Sequence, residues 1–399
     1  YVGGRHKPEY EVPTGVPAAE IARLAERLTT APAGFAVHEK IKKLLKERAE
    51  MGQGQRPVDY GMAESLAFGS LLVDPRGGTP IRFSGQDSRR GTFNQRHSVL
   101  IDVETGAEYM PLQHLAPEQP RCEIYDSMLS EAAVLGFEYG YSRDYPETLV
   151  LWEAQFGDFA NGAQIIIDQF ITAGEDKWGL LSGLVMLLPH GYEGQGAEHS
   201  SARMERYLQL AAEDNIQVCQ PSTAAQYFHL LRRQALRKWR KPLVVFTPKS
   251  MLRHKDSSSS VADLARERFL PVVPDTGDFG ERGAKRLLLC TGKIGHELKR
   301  ERERLGQGGT TAVVFLDQLY PFPEQDLSLE LARHPDASIV WVQEEPANMG
   351  SLFFVLPHIQ RLAGRPVRTI KRSASGSPAT GSAKAHGLEQ KTLLSLAFL

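Results

Sequence analysis

The sequence predicts an α/β protein with two doubly wound domains, each built on a mainly parallel sheet. Three observations carry this prediction. The chain has 399 residues, more than one hydrophobic core usually serves. Continuous apolar strands alternate with helical patterns, which is typical of a parallel sheet covered by helices on both faces. A polar, serine-rich stretch at residues 255–260 (KDSSSS) divides the alternating pattern into two parts.

The first segment, residues 1–55, is predicted to connect rather than to form a core of its own. It is polar and punctuated by prolines, with helical patterns around residues 18–28 and 37–51. A domain over residues 56–255 follows, and its elements alternate in order. We expect an amphipathic helix at 62–72, a strand at 81–84, a helix at 129–141, a strand at 148–154, a helix at 162–170, a strand at 183–188, a helix at 202–212, a strand at 216–220, a helix at 224–238 and a strand at 242–247.

Residues 256–274 are predicted to be a flexible linker, and residues 275–399 a second, smaller α/β domain. The alternation resumes there with a strand at 286–291, a helix at 294–304 and strands at 311–316 and 338–342.

Composition excludes several classes of protein. A formal net charge of −1 predicts neither nucleic-acid binding nor membrane adhesion. The longest apolar run, residues 179–188, is about half the length of a membrane span. Cys122, Cys219 and Cys290 are far apart and odd in number, so they fit neither a disulfide framework nor a zinc site. We therefore expect reduced thiols and a reducing compartment.

Glycine-rich polar loops follow three predicted strands, at residues 84–97, 155–159 and 189–203. Ligands of open parallel sheets bind beyond the carboxyl ends of the strands, so these loops should converge on one rim. The third loop holds His190 and His199, and an imidazole suits proton transfer near neutral pH. Equally, both histidines are explained by hydrogen bonds that brace the loop. From the residues alone, the two interpretations of His199 have about even weight.

Other kinds of site find no support in the sequence. The glycines lack the Lys-Ser/Thr ending of a P-loop, and there is no G-x-S-x-G nucleophile elbow. No spacing of histidines, cysteines or carboxylates is typical of a metal site, so we predict no metal ligands in this chain.

At these loops the sequence resembles the thiamine-diphosphate-dependent decarboxylating component of 2-oxoglutarate dehydrogenases, in order and over nearly the whole chain. The strings that carry the resemblance are residues 61–67 (GMAESLA), 85–97 (GQDSRRGTFNQRH), 151–159 (LWEAQFGDF), 188–203 (LPHGYEGQGAEHSSAR), 319–323 (LYPFP) and 343–350 (QEEPANMG). The resemblance implies a transketolase-like pyrimidine-binding domain at 56–255 and a C-terminal domain at 275–399. The family's diphosphate-binding domain, with its Gly-Asp-Gly…Asn motif for magnesium, has no counterpart here. We therefore expect Mg²⁺ ligands in a missing N-terminal half, and this chain alone to be inactive.

The resemblance also implies roles for individual residues. Glu64 matches the glutamate that bonds the ring nitrogen of the cofactor's aminopyrimidine, and a buried carboxylate suits that role because desolvation raises its proton affinity. Gln86 matches a cofactor contact, and Phe93 an aromatic position over the pyrimidine, although a core phenylalanine is the commoner explanation. His199 matches the active-site histidine that binds substrate or moves protons. His190 is a secondary catalytic candidate.

Lesser expectations concern residues around this site. His97 either takes part or braces its loop. Gln155 and Asp158 should shape a dimer interface, and Glu344 and Glu345 should make ion pairs. Arg368, Lys371 and Arg372 supply positive charge where some members of the family bind effectors, although a solvated basic edge is the commoner explanation.

The function implied is oxidative decarboxylation of 2-oxoglutarate with reductive succinylation of lipoyl groups in the citric acid cycle. It implies thiamine diphosphate and Mg²⁺, a homodimer, and dihydrolipoyl succinyltransferase and dihydrolipoyl dehydrogenase as partners, in the cytoplasm of a bacterium or the mitochondrial matrix of a eukaryote. The alternatives are a silent dimerisation or effector-binding module, a 2-oxoadipate-specific or non-oxidative 2-oxo acid decarboxylase, and a β-subunit-like partner of a separately encoded chain.

Overall fold

The computed structural model describes residues 1–266 and 268–399. Within these residues the α-helices are α1 (Ala18–Thr29), α2 (Glu39–Gly52), α3 (Tyr60–Leu72), α4 (Glu131–Asp144), α5 (Gln164–Ile166), α6 (Gly174–Trp178), α7 (Met204–Leu210), α8 (Ala224–Leu236), α9 (Val261–Leu264), α10 (Lys293–Arg304), α11 (Glu324–Ala332), α12 (Leu352–Ala363) and α13 (Ala383–Ala397). The strands are β1 (Ile81–Gly85), β2 (Leu100–Ile101), β3 (Glu108–Tyr109), β4 (Cys122–Asp126), β5 (Leu149–Glu153), β6 (Val185–Pro189), β7 (Gln217–Cys219), β8 (Leu243–Thr247), β9 (Val272–Val273), β10 (Arg286–Cys290), β11 (Thr311–Leu316), β12 (Gln318–Tyr320), β13 (Ser338–Pro346) and β14 (Val367–Arg372).

The larger sheet has seven strands in the order β12-β7-β8-β6-β5-β1-β4. Its strands from β7 to β4 are parallel, and β12 pairs antiparallel with β7. Alternate residues of a strand face opposite sides, so Val150 of β5 joins one core cluster and Leu151 the other. Because both faces are covered, β5, β6 and β8 are fully buried and are apolar except for Glu153 and Thr247 at the ends of β5 and β8.

Over the described residues, the smaller sheet has five strands in the order β14-β13-β10-β11-β9. Strand β9 runs antiparallel to β11, and the other neighbouring strands are parallel. One hydrophobic cluster joins the two sheets, since Met186 and Phe246 belong to it together with Leu287 and Trp341. Strand β12 also crosses over, because it follows β11 in the chain but pairs in the larger sheet. The predicted α/β class with two mainly parallel sheets is confirmed.

Three local predictions are wrong. Helix α3 is not amphipathic: all of its residues are buried, because α1 lies on one side of it and α8 on another. The helix expected at 162–170 is broken into a 3₁₀ segment (Gly157–Ala163), the short α5 and a π-helical turn (Ile167–Ile171). The serine-rich stretch is not a flexible linker, since Ser257 and Ser259 are buried and Ser259 pairs with Val58.

The three cysteines are free and buried, and burial raises the pKa of Cys122 and Cys219 to about 12. This agrees with the expected reduced thiols. No helix among the described residues is long and apolar enough to cross a membrane.

Candidate functional site

Glu64 lies in the first turns of α3, and its position is set by the start of that helix. Asp59 caps the helix by accepting a hydrogen bond from the Met62 amide at 2.8 Å. Gly61 then lies against the loop that follows β1, because a Cβ at position 61 would come within 2.0 Å of the Gln95 carbonyl oxygen. This close approach places Glu64, which is 3% exposed, beside the side chains of that loop.

The carboxylate of Glu64 belongs to a buried polar cluster centred on Arg96. Arg96 donates to Glu64 from Nε at 2.5 Å and from Nη2 at 3.2 Å. It also binds Glu153, the last residue of β5, through Nη1 and Nη2, both at 2.8 Å. Tyr227 of α8 donates its hydroxyl proton to Glu64 Oε2 at 2.7 Å. Two carboxylates therefore share one guanidinium, and with both ionised the cluster carries a net charge of −1.

Burial and mutual charge shift the pKa values in this cluster. Burial is the largest cause of the raised pKa of Glu153, and the Arg96 charge only partly offsets it. Burial alone would lower the pKa of Arg96, but the charges of Glu153 and Glu64 hold it well above its ordinary value. Burial and the charge of Glu64 raise the pKa of Tyr227 well above 10.0. The arginine and the tyrosine therefore keep their protons, and Glu153 binds an added proton more readily than an ordinary glutamate does.

A narrow cavity opens on this cluster. Its enclosed volume is about 10 Å³, roughly the space of one water molecule. The lining residues are Tyr60, Gly61, Glu64, Phe93, Gln95, Arg96, Glu153, Pro189, Tyr227, Thr247, Pro248 and Leu252. Of the candidate residues predicted from sequence, the structure thus brings Glu64 and Phe93 together.

His199 is joined to this cavity through aromatic rings rather than by lining it. Phe93 contacts Phe156 edge-on at 5.6 Å between ring centroids, and Phe156 contacts His199 edge-on at 4.3 Å. His199 is not one of the described residues that line the cavity. Lys249, which follows β8, fixes the His199 loop by donating to the His199 carbonyl at 2.5 Å and to Gln195 Oε1 at 2.7 Å.

His190 is fully buried between the two sheets. Its Nε2 lies 2.7 Å from Glu345 Oε1 at the end of β13, and its Nδ1 accepts a hydrogen bond from the Ala202 amide at 3.1 Å. Burial alone would lower the pKa of His190, but Glu345 and Glu344 raise it. The ring lines a second small cavity, which shares Tyr60 with the first. This geometry favours bracing of the loop by His190.

Gln86 lies on the other side of β5 from Phe93. Its amide nitrogen donates to Glu131 Oε1 at 2.9 Å, and it lines a separate small cavity that shares Glu153 with the Glu64 cavity. Glu153, which lines both cavities, therefore links Gln86 to the cluster.

The remaining residues singled out in the sequence make structural contacts, and one of them, Arg372, does not lie where it was expected. His97 is half-buried, and burial with the Arg48 charge lowers its pKa to about 4. Glu344 pairs with Lys293 at 2.9 Å, so the expected ion pairs of residues 344 and 345 are confirmed. The prediction that Arg372 belongs to a solvated basic edge is wrong, because Arg372 is buried and donates hydrogen bonds to Glu389 and Gln390.

Asp158 is buried, and its Oδ1 accepts a hydrogen bond from the Ser201 amide at 3.2 Å. It thereby holds the end of the His199 loop. Its expected part in a dimer interface, like that of Gln155, stays a prediction.

Sequence reasoning missed Arg96, Glu153 and Tyr227. The signal for Glu153 was a single carboxylate at the end of an otherwise apolar strand, where an unpaired charge is too costly to bury. Arg96 was the matching cation in the predicted rim. Tyr227 gave no such signal, since aromatic residues are common on a buried helix.

Two family models match the chain in succession. The transketolase pyrimidine-binding domain matches residues 56–255, and the 2-oxoglutarate dehydrogenase C-terminal domain matches residues 258–398. The chain belongs to the transketolase pyrimidine-binding family. The resemblance seen in the sequence is thus confirmed, and the Glu64 cavity lies within the pyrimidine-binding domain.

Curated relatives of this family extend the match. The chain is 51% identical over 392 residues to a 2-oxoglutarate dehydrogenase E1 component of Cupriavidus necator, covering 96% of this chain and 41% of the relative. It is 48% identical over 400 residues to the E1 component of Azotobacter vinelandii, covering 99% and 41%. The E1 component of Coxiella burnetii is 49% identical over 374 residues, covering 93% and 40%. The chain therefore spans about two-fifths of the length of these relatives and corresponds to their C-terminal part.

Among the described residues of this family member, no group of three or more histidine, cysteine, aspartate or glutamate side chains is arranged to hold a metal ion.

Proposed function

We propose that this chain supplies the pyrimidine-binding side of a thiamine diphosphate site in a 2-oxoglutarate dehydrogenase E1 component. The whole enzyme would carry out oxidative decarboxylation of 2-oxoglutarate and reductive succinylation of lipoyl groups. The observation that carries the proposal is Glu64, a buried carboxylate that lines a cavity at the carboxyl ends of parallel strands.

The residues around the cavity suit the edge of an aminopyrimidine ring. Such an edge needs a group that shares a proton with its ring nitrogen, and the Glu64 carboxylate is that group. Arg96 and Tyr227 fix its orientation with three hydrogen bonds. The enclosed volume of about 10 Å³ admits a ring edge rather than a whole ring. Phe93 supplies an aromatic surface at the same cavity, suited to stacking on the ring.

Thiamine diphosphate, when bound, supplies the carbon nucleophile and the electron sink for decarboxylation. This chain's residues would hold and orient it. Glu64 would hold a proton at the ring nitrogen, and the buried surroundings would exclude water from that proton. We place the Mg²⁺ ligands in a diphosphate-binding domain outside this chain.

His199 would act on the substrate rather than on the pyrimidine. Its loop is held by Lys249, and its ring is held edge-on by Phe156, so the imidazole is kept near the cavity without entering it. An imidazole so placed can hold a 2-oxo acid or move a proton during transfer to a lipoyl group. Gln86 is proposed to contribute more weakly, through its position beside Glu153.

A homodimer is proposed because apolar side chains are exposed together on one flank of the larger sheet. Met128 and Leu129 are each 84% exposed between β4 and α4, Phe137 of α4 is 59% exposed, and Ile165 of α5 is 66% exposed. Patches of this kind mark protein interfaces. Sedimentation should report a dimer that Leu129→Glu with Phe137→Glu converts to monomer, and an unchanged mass would contradict this interface.

Dihydrolipoyl succinyltransferase and dihydrolipoyl dehydrogenase are the further proposed partners.

The proposal is tested in a chimera that joins this chain to the N-terminal remainder of the Cupriavidus necator relative. Dye reduction driven by 2-oxoglutarate should require thiamine diphosphate and Mg²⁺. Glu64→Gln should lower kcat at least about 100-fold, since a positioned acid–base group contributes about that much.

A matched control for Glu64→Gln is Glu138→Gln. Glu138 is a buried glutamate that binds Arg82 through two hydrogen bonds, at 2.7 and 2.9 Å, away from the cavity. The control should retain activity. Full activity of Glu64→Gln would refute the proposal.

A further inference from the structure

The Glu64 cluster contains a second carboxylate, Glu153, to which the proposed function assigns no role. Glu153 is 5% exposed and accepts from Nη1 and Nη2 of Arg96, on the other edge of the guanidinium from Nε. A single ion pair between Arg96 and Glu64 would already neutralise both side chains without Glu153. Burying one more carboxylate costs free energy, so its presence calls for a reason.

The geometry shows what Glu153 does to Arg96. The guanidinium is clamped between two carboxylates, and its Nη1 also donates to the Ser88 carbonyl at 2.8 Å. The ring of Phe83 lies 4.3 Å from the guanidinium carbon and closes one face. Arg96 therefore cannot turn away from Glu64 without leaving Glu153 unpaired.

The same clamp controls the charge of the cluster. A guanidinium devoted to Glu64 alone would favour the ionised carboxylate. Sharing it with Glu153 divides that attraction and adds a like charge, so the pair of carboxylates holds a proton more readily. The other groups that act on the cluster are Tyr227, which donates to Glu64, and the more distant charges of Arg48 and Asp87.

We propose that Glu153 is a positioning residue for Glu64: it clamps Arg96 in place and, as a second negative charge on the same guanidinium, makes the cluster at the cavity bind a proton more tightly. This inference rests on the proposed function of Glu64. It adds that a second carboxylate of the same cavity lining, Glu153, sets the acid–base state of the site through Arg96.

The test is Glu153→Gln in the chimera described above. The amide keeps the shape and one acceptor, while the cluster loses a negative charge. We expect kcat to fall about tenfold with KM for 2-oxoglutarate changed less than about twofold. The alkaline limb of the kcat profile should move to lower pH by about one unit, because a less negative cluster releases its proton earlier.

A second measurement is independent of turnover. The dissociation constant of thiamine diphosphate with Mg²⁺ is followed across pH by intrinsic tryptophan fluorescence, to which Trp152, in the lining of the Gln86 cavity beside Glu153, contributes. As pH rises, the affinity for thiamine diphosphate should begin to fall at a lower pH in Glu153→Gln than in the unmodified chimera. Glu153→Asp should restore most of the unmodified profile.

Glu138→Gln separates this role from loss of a buried ion pair. That control should lower stability in urea without moving either pH profile. If Glu64→Gln is inactive while Glu153→Gln has an unshifted profile, the positioning role is refuted and the proposed function stands. If Glu64→Gln is fully active, the proposed function itself fails.

Discussion

Asp317 is a buried carboxyl at the junction of the two sheets, and its titration should be visible in the stability of the chain. It follows β11 and has no exposed surface. One oxygen, Oδ2, accepts from the Ser222 amide at 2.9 Å, the Ser222 hydroxyl at 3.0 Å and Gln226 Nε2 at 3.0 Å. The other oxygen, Oδ1, is buried without a hydrogen-bond partner among the described residues. Burial outweighs these hydrogen bonds and raises the pKa of Asp317 from 3.8 to about 7.

The sign of the effect follows from this shift. The folded-state pKa lies above the unfolded value, so the folded chain binds the proton more tightly. Its contribution to stability is complete below about pH 4 and is lost as pH rises to about 7. Each pH unit corresponds to about 1.4 kcal/mol, so about 2 to 3 kcal/mol should disappear between pH 5 and pH 8.

Asp317→Asn removes the titrating group while keeping its shape. Urea unfolding of both chains at pH 5, 6, 7 and 8 should show the variant gaining about 2 to 3 kcal/mol relative to the unmodified chain as pH rises. Asp102→Asn is the control: backbone hydrogen bonds from Ala36 and Thr105 lower the pKa of Asp102, so its effect should be flat over this range. Parallel curves for the unmodified chain and Asp317→Asn would refute the reasoning.

Two further predictions concern residues that build the site. Gly61→Ala should destabilise the chain by about 2 to 4 kcal/mol in urea unfolding, because the new Cβ would lie 2.0 Å from the Gln95 carbonyl oxygen. The control on the same helix, Gly69→Ala, whose Cβ would have its nearest atom at 3.3 Å, should cost less than about 1 kcal/mol. Equal costs would contradict the close approach. Glu345→Gln should remove the carboxylate that raises the pKa of His190. The unmodified chain should therefore lose stability as pH rises above about 6.5 and the variant should not, and at pH 6 the substitution should lower the free energy of unfolding by about 1 to 3 kcal/mol. An unchanged pH dependence in urea unfolding would show that this pair does not titrate.

The fold was predictable because its signals are local and repeated. Apolar runs at 148–154, 183–188 and 242–247 became three adjacent buried strands of the larger sheet. Errors arose where tertiary contacts override local pattern. Helix α3 carries glutamate and serines, which suggest a wet face, yet Arg96 and Tyr227 supply partners that permit burial of Glu64. No local pattern shows such partners.

The candidate site divides in the same way. Loop composition predicted a shared rim, and the rings of Phe93, Phe156 and His199 do follow one another there. Sequence did not predict that Gln86 turns to Glu131 instead, because the partner comes from a helix 45 residues away. A resemblance places a residue in a family position, while the direction of its side chain depends on packing.

Charge placement at the carboxyl ends of the strands ties the two sheets to one site. On one side of the rim, Arg96 is shared by Glu64 and Glu153. On the other, Glu344 and Glu345 reach from β13 to the Tyr192 amide and to His190, at the base of the loop that carries His199. Buried pairs of this kind contribute little net stability compared with apolar packing, but breaking one partner is costly. The smaller sheet therefore fixes the start of the loop that carries His199, and the same loop without that sheet would lose these contacts.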